Sequence, residues 1–260
     1  MRNRSLEIFL GLAIGLSFSA RASAQIKETA APAKSASTSK TPDLSGVWMR
    51  DAPPATAAQY WIYELNQEEP PMTAWGKEQF KAAKSSFGSH EYPLEETTDP
   101  VLRKCFPPGV PRVYMHPFPF QFIQIPGEVV MLFEVDSLRR EIYTDGAQHD
   151  PALVPLWMGN SIGHWEGDTL VVDTVNFNDR TWLDRIGHPH SDQLHVIERF
   201  RRTAHDHLVD DLTIDDPKAY TKPWTAHLEF KLQPWKLTEQ FCEDGESFLG
   251  LEKKEASPGK

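Results

Sequence analysis

From Phe118 onward the chain is built of short runs of β-branched and aromatic residues: FQFIQI, EVVMLFEV, REIYT, GHWE, DTLVVDTVNF, QLHVIERFRR, HLVDDLTID, WTAHLEFKL and KLTEQFCE. Turn signals separate them at spacings of about 8 to 12 residues, the pattern of an all-β domain. The links PGE, EGD, TAHD and QPW are short enough for hairpins, which predicts meander connectivity. An open meander leaves two edges of unpaired backbone groups, and closure removes them. The expected fold is therefore mainly β, a single antiparallel meander closing into a barrel. No repeat of solenoid length competes with it.

Residues 50 to 117 read differently. The prolines of PPAT, EEPPM and CFPPGVPR oppose long elements, so this half is expected to wrap the barrel irregularly. One short helix is expected from Thr73 to Lys84, capped by Thr73 and rich in Ala, Lys, Glu and Gln.

The N-terminus has the three parts of a secretory signal: Arg2 and Arg4, an apolar run from Ile8 to Phe18, and Ala22-Ser23-Ala24 before Gln25. The run is too short for a permanent span, and no cysteine follows the cleavage site to take a lipid. Residues 1–24 are thus a signal peptide, 25–42 a polar leader that buries too little to order itself, 43–250 the barrel domain and 251–260 a disordered tail. A periplasmic or secreted chain without stable membrane insertion is expected. Cleavage removes Arg2, Arg4 and Arg21 with Glu7 and takes the formal charge from −10 to about −12. So acidic a chain, without a basic cluster, excludes nucleic acid as a partner. The two cysteines, Cys105 and Cys242, are expected to pair in an oxidising compartment.

The stretch RIGHPHSDQLHVIERF, residues 185–200, concentrates titratable groups. In its strand Leu194, Val196, Glu198 and Phe200 share one face, and His195, Ile197 and Arg199 the other. The first face is the more apolar, which places Glu198 toward the core and His195 away. His188, His190, His195 and Glu198 resemble the His-x-His and Glu ligands of cupins, but Glu198 is out of phase with His195, so no metal is expected. Asp173 shares a face with Val171, Val175 and Phe177. If its strand neighbours that of Glu198, the two acids share a cavity that can raise one pKa; the alternative is that each pairs with an arginine.

Between these strands, NDRTWLDRIGHPHSD is longer than a hairpin requires, as lids and binding loops are. His190 flanked by Asp192 reads as a general base, Glu198 or Asp173 as the acid, and Trp182 and Trp157 as pocket walls, with His149, Asp184 and His195 as further substrate contacts. The bland reading makes the tryptophans core residues and Asp192 a turn cap. No G-x-S-x-G elbow, glycine-rich phosphate loop, C-x-x-C or H-E-x-x-H occurs, so neither a nucleotide cofactor nor the familiar serine route is expected.

Gly46-x-Trp48, in LSGVW, resembles the first-strand signature of lipocalin-like barrels. That resemblance implies either a carrier of small hydrophobic molecules or an isomerase, cyclase or hydratase. The run WMGNSIGHWEGDTLVVDTVNFNDRTWLD, with PHSDQLHVIERFRR and IDDPKAYTKPW, resembles a family of exported bacterial proteins with no assigned activity. It implies export and transfers no catalytic residue. The leading expectation is an exported enzyme that performs cofactor-free acid–base chemistry, as an isomerase, lyase, hydratase or hydrolase, on a small apolar or aromatic substrate. The alternatives are a periplasmic carrier of a small hydrophobic ligand and an envelope interaction protein.

Overall fold

The computed structural model describes residues 41–51, 64–66, 68–88 and 92–242. The stretches expected to be a signal peptide, most of the expected leader and the expected tail lie outside the described residues, as do parts of the proline-rich wrap.

Among the described residues nine strands form, eight of them on expected runs and the first on the Gly46-x-Trp48 segment: β1 Gly46–Arg50, β2 Phe120–Ile125, β3 Glu128–Phe133, β4 Arg139–Tyr143, β5 Asn160–Glu166, β6 Thr169–Val175, β7 His195–Ala204, β8 His207–Asp215 and β9 Trp224–Gln233. They close in sequence order, with β9 pairing back onto β1. Every pairing is antiparallel except β4 with β5, where Ile142 faces Ser161 and Tyr143 faces Ile162 in parallel register. A hairpin cannot join parallel strands, and the segment between Tyr143 and Asn160 supplies the required crossover. The expected all-antiparallel meander is therefore corrected to a mixed barrel. Nine strands with a parallel pair also depart from the eight-stranded, up-and-down lipocalin pattern.

KLTEQFCE does not form a strand. Within it, Gln240 makes a single bridge to Val135, and the segment is tied down by Cys242, which is bonded to Cys105. Among the described residues of the wrap two α-helices occur, α1 Ala74–Ala82 and α2 Pro100–Lys104. Thr73 caps α1 by accepting from the Gly76 N–H, and Asp99 caps α2 by accepting from the Val101 N–H. None of these helices is long and apolar enough to cross a membrane.

Alternation along the strands fills the barrel. Phe120, Phe122, Met131, Phe133, Val172, Val196, Phe200, Leu228 and Phe230 are buried. A 3₁₀ turn, Arg112–Met115, lays the Tyr114 ring among Phe120, Phe133, Phe200 and Phe230 at centroid distances of 5.6 to 6.2 Å. Trp48 is fully buried, donates its indole N–H to the Leu44 carbonyl and lies under the Arg202 guanidinium. The wrap thus contributes a plug to the barrel as well as a cover.

α1 docks on the turn after β8. The Thr73 amide donates to the Ala219 carbonyl and the Thr73 hydroxyl to the Lys218 carbonyl. A Cβ at Gly76 would lie 2.3 Å from the Ala219 carbonyl oxygen. Alanine is the better helix former by about 1 kcal/mol, yet the clash is with backbone that cannot swing away. Gly76→Ala is expected to destabilise by about 1 to 3 kcal/mol, the usual cost of overpacking. A melting temperature equal to or above the parent's would contradict this.

Candidate active site

The long loop between β6 and β7 folds back on itself. Trp182 bridges Pro189 in antiparallel fashion, and the Leu183 amide donates to the His188 carbonyl. At the tip, Asp184 Oδ1 accepts from the amides of Ile186, Gly187 and His188, each at 3.1 Å. Its other oxygen meets His188 Nδ1 at 2.5 Å. Phe80 of α1 stacks on the His188 ring at 4.4 Å. Burial works against a charge on His188, but the Asp184 carboxylate outweighs it and raises the imidazole's pKa. Glu64 is also held above the usual carboxylate range, first by burial and then by Asp184. This group locks the loop tip against α1. Gly187 permits that approach, since a Cβ there would sit 2.6 Å from the Ala83 Cβ.

Two residues on, His190 faces the other way. Its Nδ1 lies 3.2 Å from the Ser191 carbonyl oxygen and its Nε2 3.0 Å from the Thr181 hydroxyl. A carbonyl only accepts, so Nδ1 carries the proton and Nε2 is the lone-pair nitrogen that receives the Thr181 O–H. Burial lowers the His190 pKa, and the opposing pull of the Ser191 carbonyl and of Asp216 is smaller. The imidazole is consequently neutral at neutral pH. Asp216 fixes the backbone here: its carboxylate accepts from the Ser191 amide and hydroxyl, and the Tyr220 hydroxyl donates to the Pro189 carbonyl.

His190 and Thr181 open onto a cleft of about 380 Å³. Its walls are Trp75, Gln79 and Ala83 of the α1 region, Thr98 and Pro100 at the start of α2, and Asp179, Arg180, Trp182, Gly187 and Pro189 of the loop. Beneath the cleft Arg112, fully buried, pairs with Asp99 at 2.5 Å and stacks its guanidinium on the Trp182 ring. Arg180 packs its guanidinium face over Phe106 and Trp157, whose rings are 4.8 Å apart. The lining combines aromatic surface, one cation, one carboxylate and an imidazole–hydroxyl pair.

No protein-family model, curated protein or solved structure matches the chain.

The expected site residues are scattered over the fold. His190 and Trp182 line the cleft, and Trp157 stands behind it, in contact through Arg180. Asp192 is exposed on the surface and does not flank the His190 ring; the carboxylate that organises this turn is Asp216. Asp184 is wholly buried beneath the loop as a structural acceptor.

Glu198 lies at the centre of the barrel, as its strand parity implied, but it is committed to Arg140. The Arg140 guanidinium forms a two-pronged ion pair with it and also reaches Ser161, Thr174 and the Tyr114 hydroxyl. Tyr114 donates to Glu198 as well. Asp173 is on the outer wall, where its Oδ1 meets His149 Nε2 at 3.1 Å and His195 Nε2 at 2.9 Å. The shared cavity for Asp173 and Glu198 does not exist, because adjacent strands place them on opposite sides of the sheet.

Of the other cleft residues, Asp179 belongs to the polar loop that the sequence singles out, whereas Thr181, Arg180, Trp75 and Thr98 carry no sequence signal of their own. Thr181 lies only nine positions from His190, but nothing in an isolated threonine announces that the intervening loop doubles back onto it. The length of that loop was the one available signal.

Proposed function

We propose that this chain is an exported enzyme performing cofactor-free acid–base chemistry on a small aromatic or apolar molecule bound in the cleft. The observation that carries the reading is the neutral His190 with its Nε2 on the Thr181 hydroxyl, inside a cleft walled by Trp75 and Trp182. This arrangement suits hydrolysis or hydration best. In hydrolysis His190 accepts a proton from a water beside the Thr181 hydroxyl as that water attacks the acyl carbon, and returns it to the departing alkoxide oxygen, giving acid and alcohol; in hydration the proton goes instead to the carbon next to the one the water oxygen attacks. One residue then serves as base and acid in turn, so neither Glu198 nor Asp173 is needed. Arg180 supplies N–H donors for a carbonyl or carboxylate on the substrate. The signal-like N-terminus and the Cys105–Cys242 bond support export.

Carriage of a hydrophobic ligand within the barrel fits less well. Tyr114 and its phenylalanine neighbours occupy the barrel centre, and a guest would have to displace them.

The test is turnover of a panel of small aryl esters and aryl-conjugated alkenes by the mature protein. His190→Ala is expected to lower kcat/KM by about 10² to 10⁴, the range for a lost general base. Thr181→Val should act comparably, with circular dichroism unchanged. Because the active form is the neutral imidazole and burial lowers its pKa, kcat/KM should stay level down to pH 6.5 and decline only below it. Turnover that survives both substitutions, or an acid limb above pH 6.5, would sink the assignment.

A further inference from the structure

The outer wall carries a second group of ligating side chains, remote in sequence from the cleft loop. Asp51 follows β1, Glu229 lies on β9 and His207 opens β8, so three neighbouring strands each present one ligand on the same face. One ligand atom from each lies within 4.8 Å of the other two. The backbone holds this spacing: the Asp51 amide donates to the Glu229 carbonyl, and Val209, two residues after His207, is the direct partner of Glu229.

His207 and Glu229 also have outer supports. His207 Nε2 meets Glu229 Oε2 at 3.1 Å, while its Nδ1 is engaged by the Thr203 hydroxyl at 2.8 Å. The other Glu229 oxygen faces His227 Nε2 at 3.3 Å, and His227 Nδ1 is held by Asp211 Oδ1 at 2.6 Å. A ring nitrogen fixed by its second hydrogen bond, and a carboxylate oriented through its spare oxygen, are the outer-shell features that aim ligands at a metal.

We propose that Asp51, Glu229 and His207 form a site for a divalent first-row transition cation, with zinc the natural probe. Two carboxylates balance the charge of a dication, and one imidazole with two oxygens suits borderline ions over calcium or magnesium. Small side-chain rotations bring the three atoms to the roughly 2.0 to 2.2 Å typical of zinc with nitrogen and oxygen donors. The remaining positions face solvent and water fills them. Lys231, whose ammonium lies 3.0 Å from Asp51 Oδ2, is the competing cation. Its side chain is more than half exposed, so it swings into water when the dication takes the carboxylate. The site straddles the seam where β9 closes onto β1, so occupancy clamps the barrel's closure.

Calorimetric titration of untagged mature protein with zinc chloride tests the proposal. One equivalent should bind, with at least tenfold weaker affinity in His207→Ala and in Glu229→Gln, and the melting temperature should rise with zinc in the parent but not in these two variants. The His149→Ala/His195→Ala variant, which removes the half-buried histidine pair on Asp173, serves as the control and should bind like the parent. No uptake by the parent, equal affinity in His207→Ala and Glu229→Gln, or binding lost only in the control would each overturn it.

Discussion

Glu198→Ala is expected to lose about 3 to 5 kcal/mol of stability, the cost of stranding one partner of a buried ion pair. Arg140 and Glu198 are both shut off from solvent at the centre of the barrel. Burial opposes the arginine's charge, but Glu198 beside it more than compensates, and the guanidinium holds its proton more tightly than usual. Removing the carboxylate leaves a cation with hydroxyls around it and no counter-charge in reach except Asp210. Burial and the Glu198 charge hold Asp210 well above the usual carboxylate range, so it is a poor substitute counter-charge. A typical domain has about 5 to 15 kcal/mol in total, so the variant should sit near its unfolding threshold. Arg140→Met/Glu198→Leu should recover much of the loss, since an apolar replacement of the whole pair removes the uncompensated charge. Urea unfolding followed by tryptophan fluorescence measures both. A loss below about 1 kcal/mol in Glu198→Ala would mean that solvent reaches the barrel centre.

Cys105→Ser/Cys242→Ser is expected to cost about 3 to 5 kcal/mol. The bond spans 137 residues, and loop-closure entropy grows with the logarithm of loop length. It also fixes the last described residues, where the Cys242 amide donates to Asp136 Oδ1 and the Asp136 amide to the Gln240 carbonyl. The urea midpoint of the parent should fall by the same amount when dithiothreitol is added, and the double variant should no longer respond to reductant. A midpoint indifferent to reductant in the parent would show that the two hydrogen bonds alone hold this end.

The strand runs were legible because side-chain alternation and turn chemistry act over a few residues. The parity of β7 was readable for that reason, and Val196, Glu198 and Phe200 do face inward. The same reasoning misplaced Asp173. Both faces of β6 are rich in apolar residues, and Val171 on the outer side is nearly as buried as Leu170 and Val172 inside, so the composition held no phase information. KLTEQFCE has the composition of a strand but makes only one bridge, because β9 already pairs with β1 and no edge remains for another strand. The parallel β4–β5 pair was foreshadowed only by the length of its connection.

By itself, then, the sequence determined the closed β architecture, the cap of α1, the cysteine pair and the inward direction of Glu198. Each depends on a short-range period, a cap or a two-member choice. Tertiary structure alone decided that Glu198 belongs to Arg140, that His190 has Thr181 and not Asp192 as its partner, and that Tyr114 fills the barrel. These are contacts between residues from different elements, set by how strands and loops fold over one another, and no local pattern encodes them.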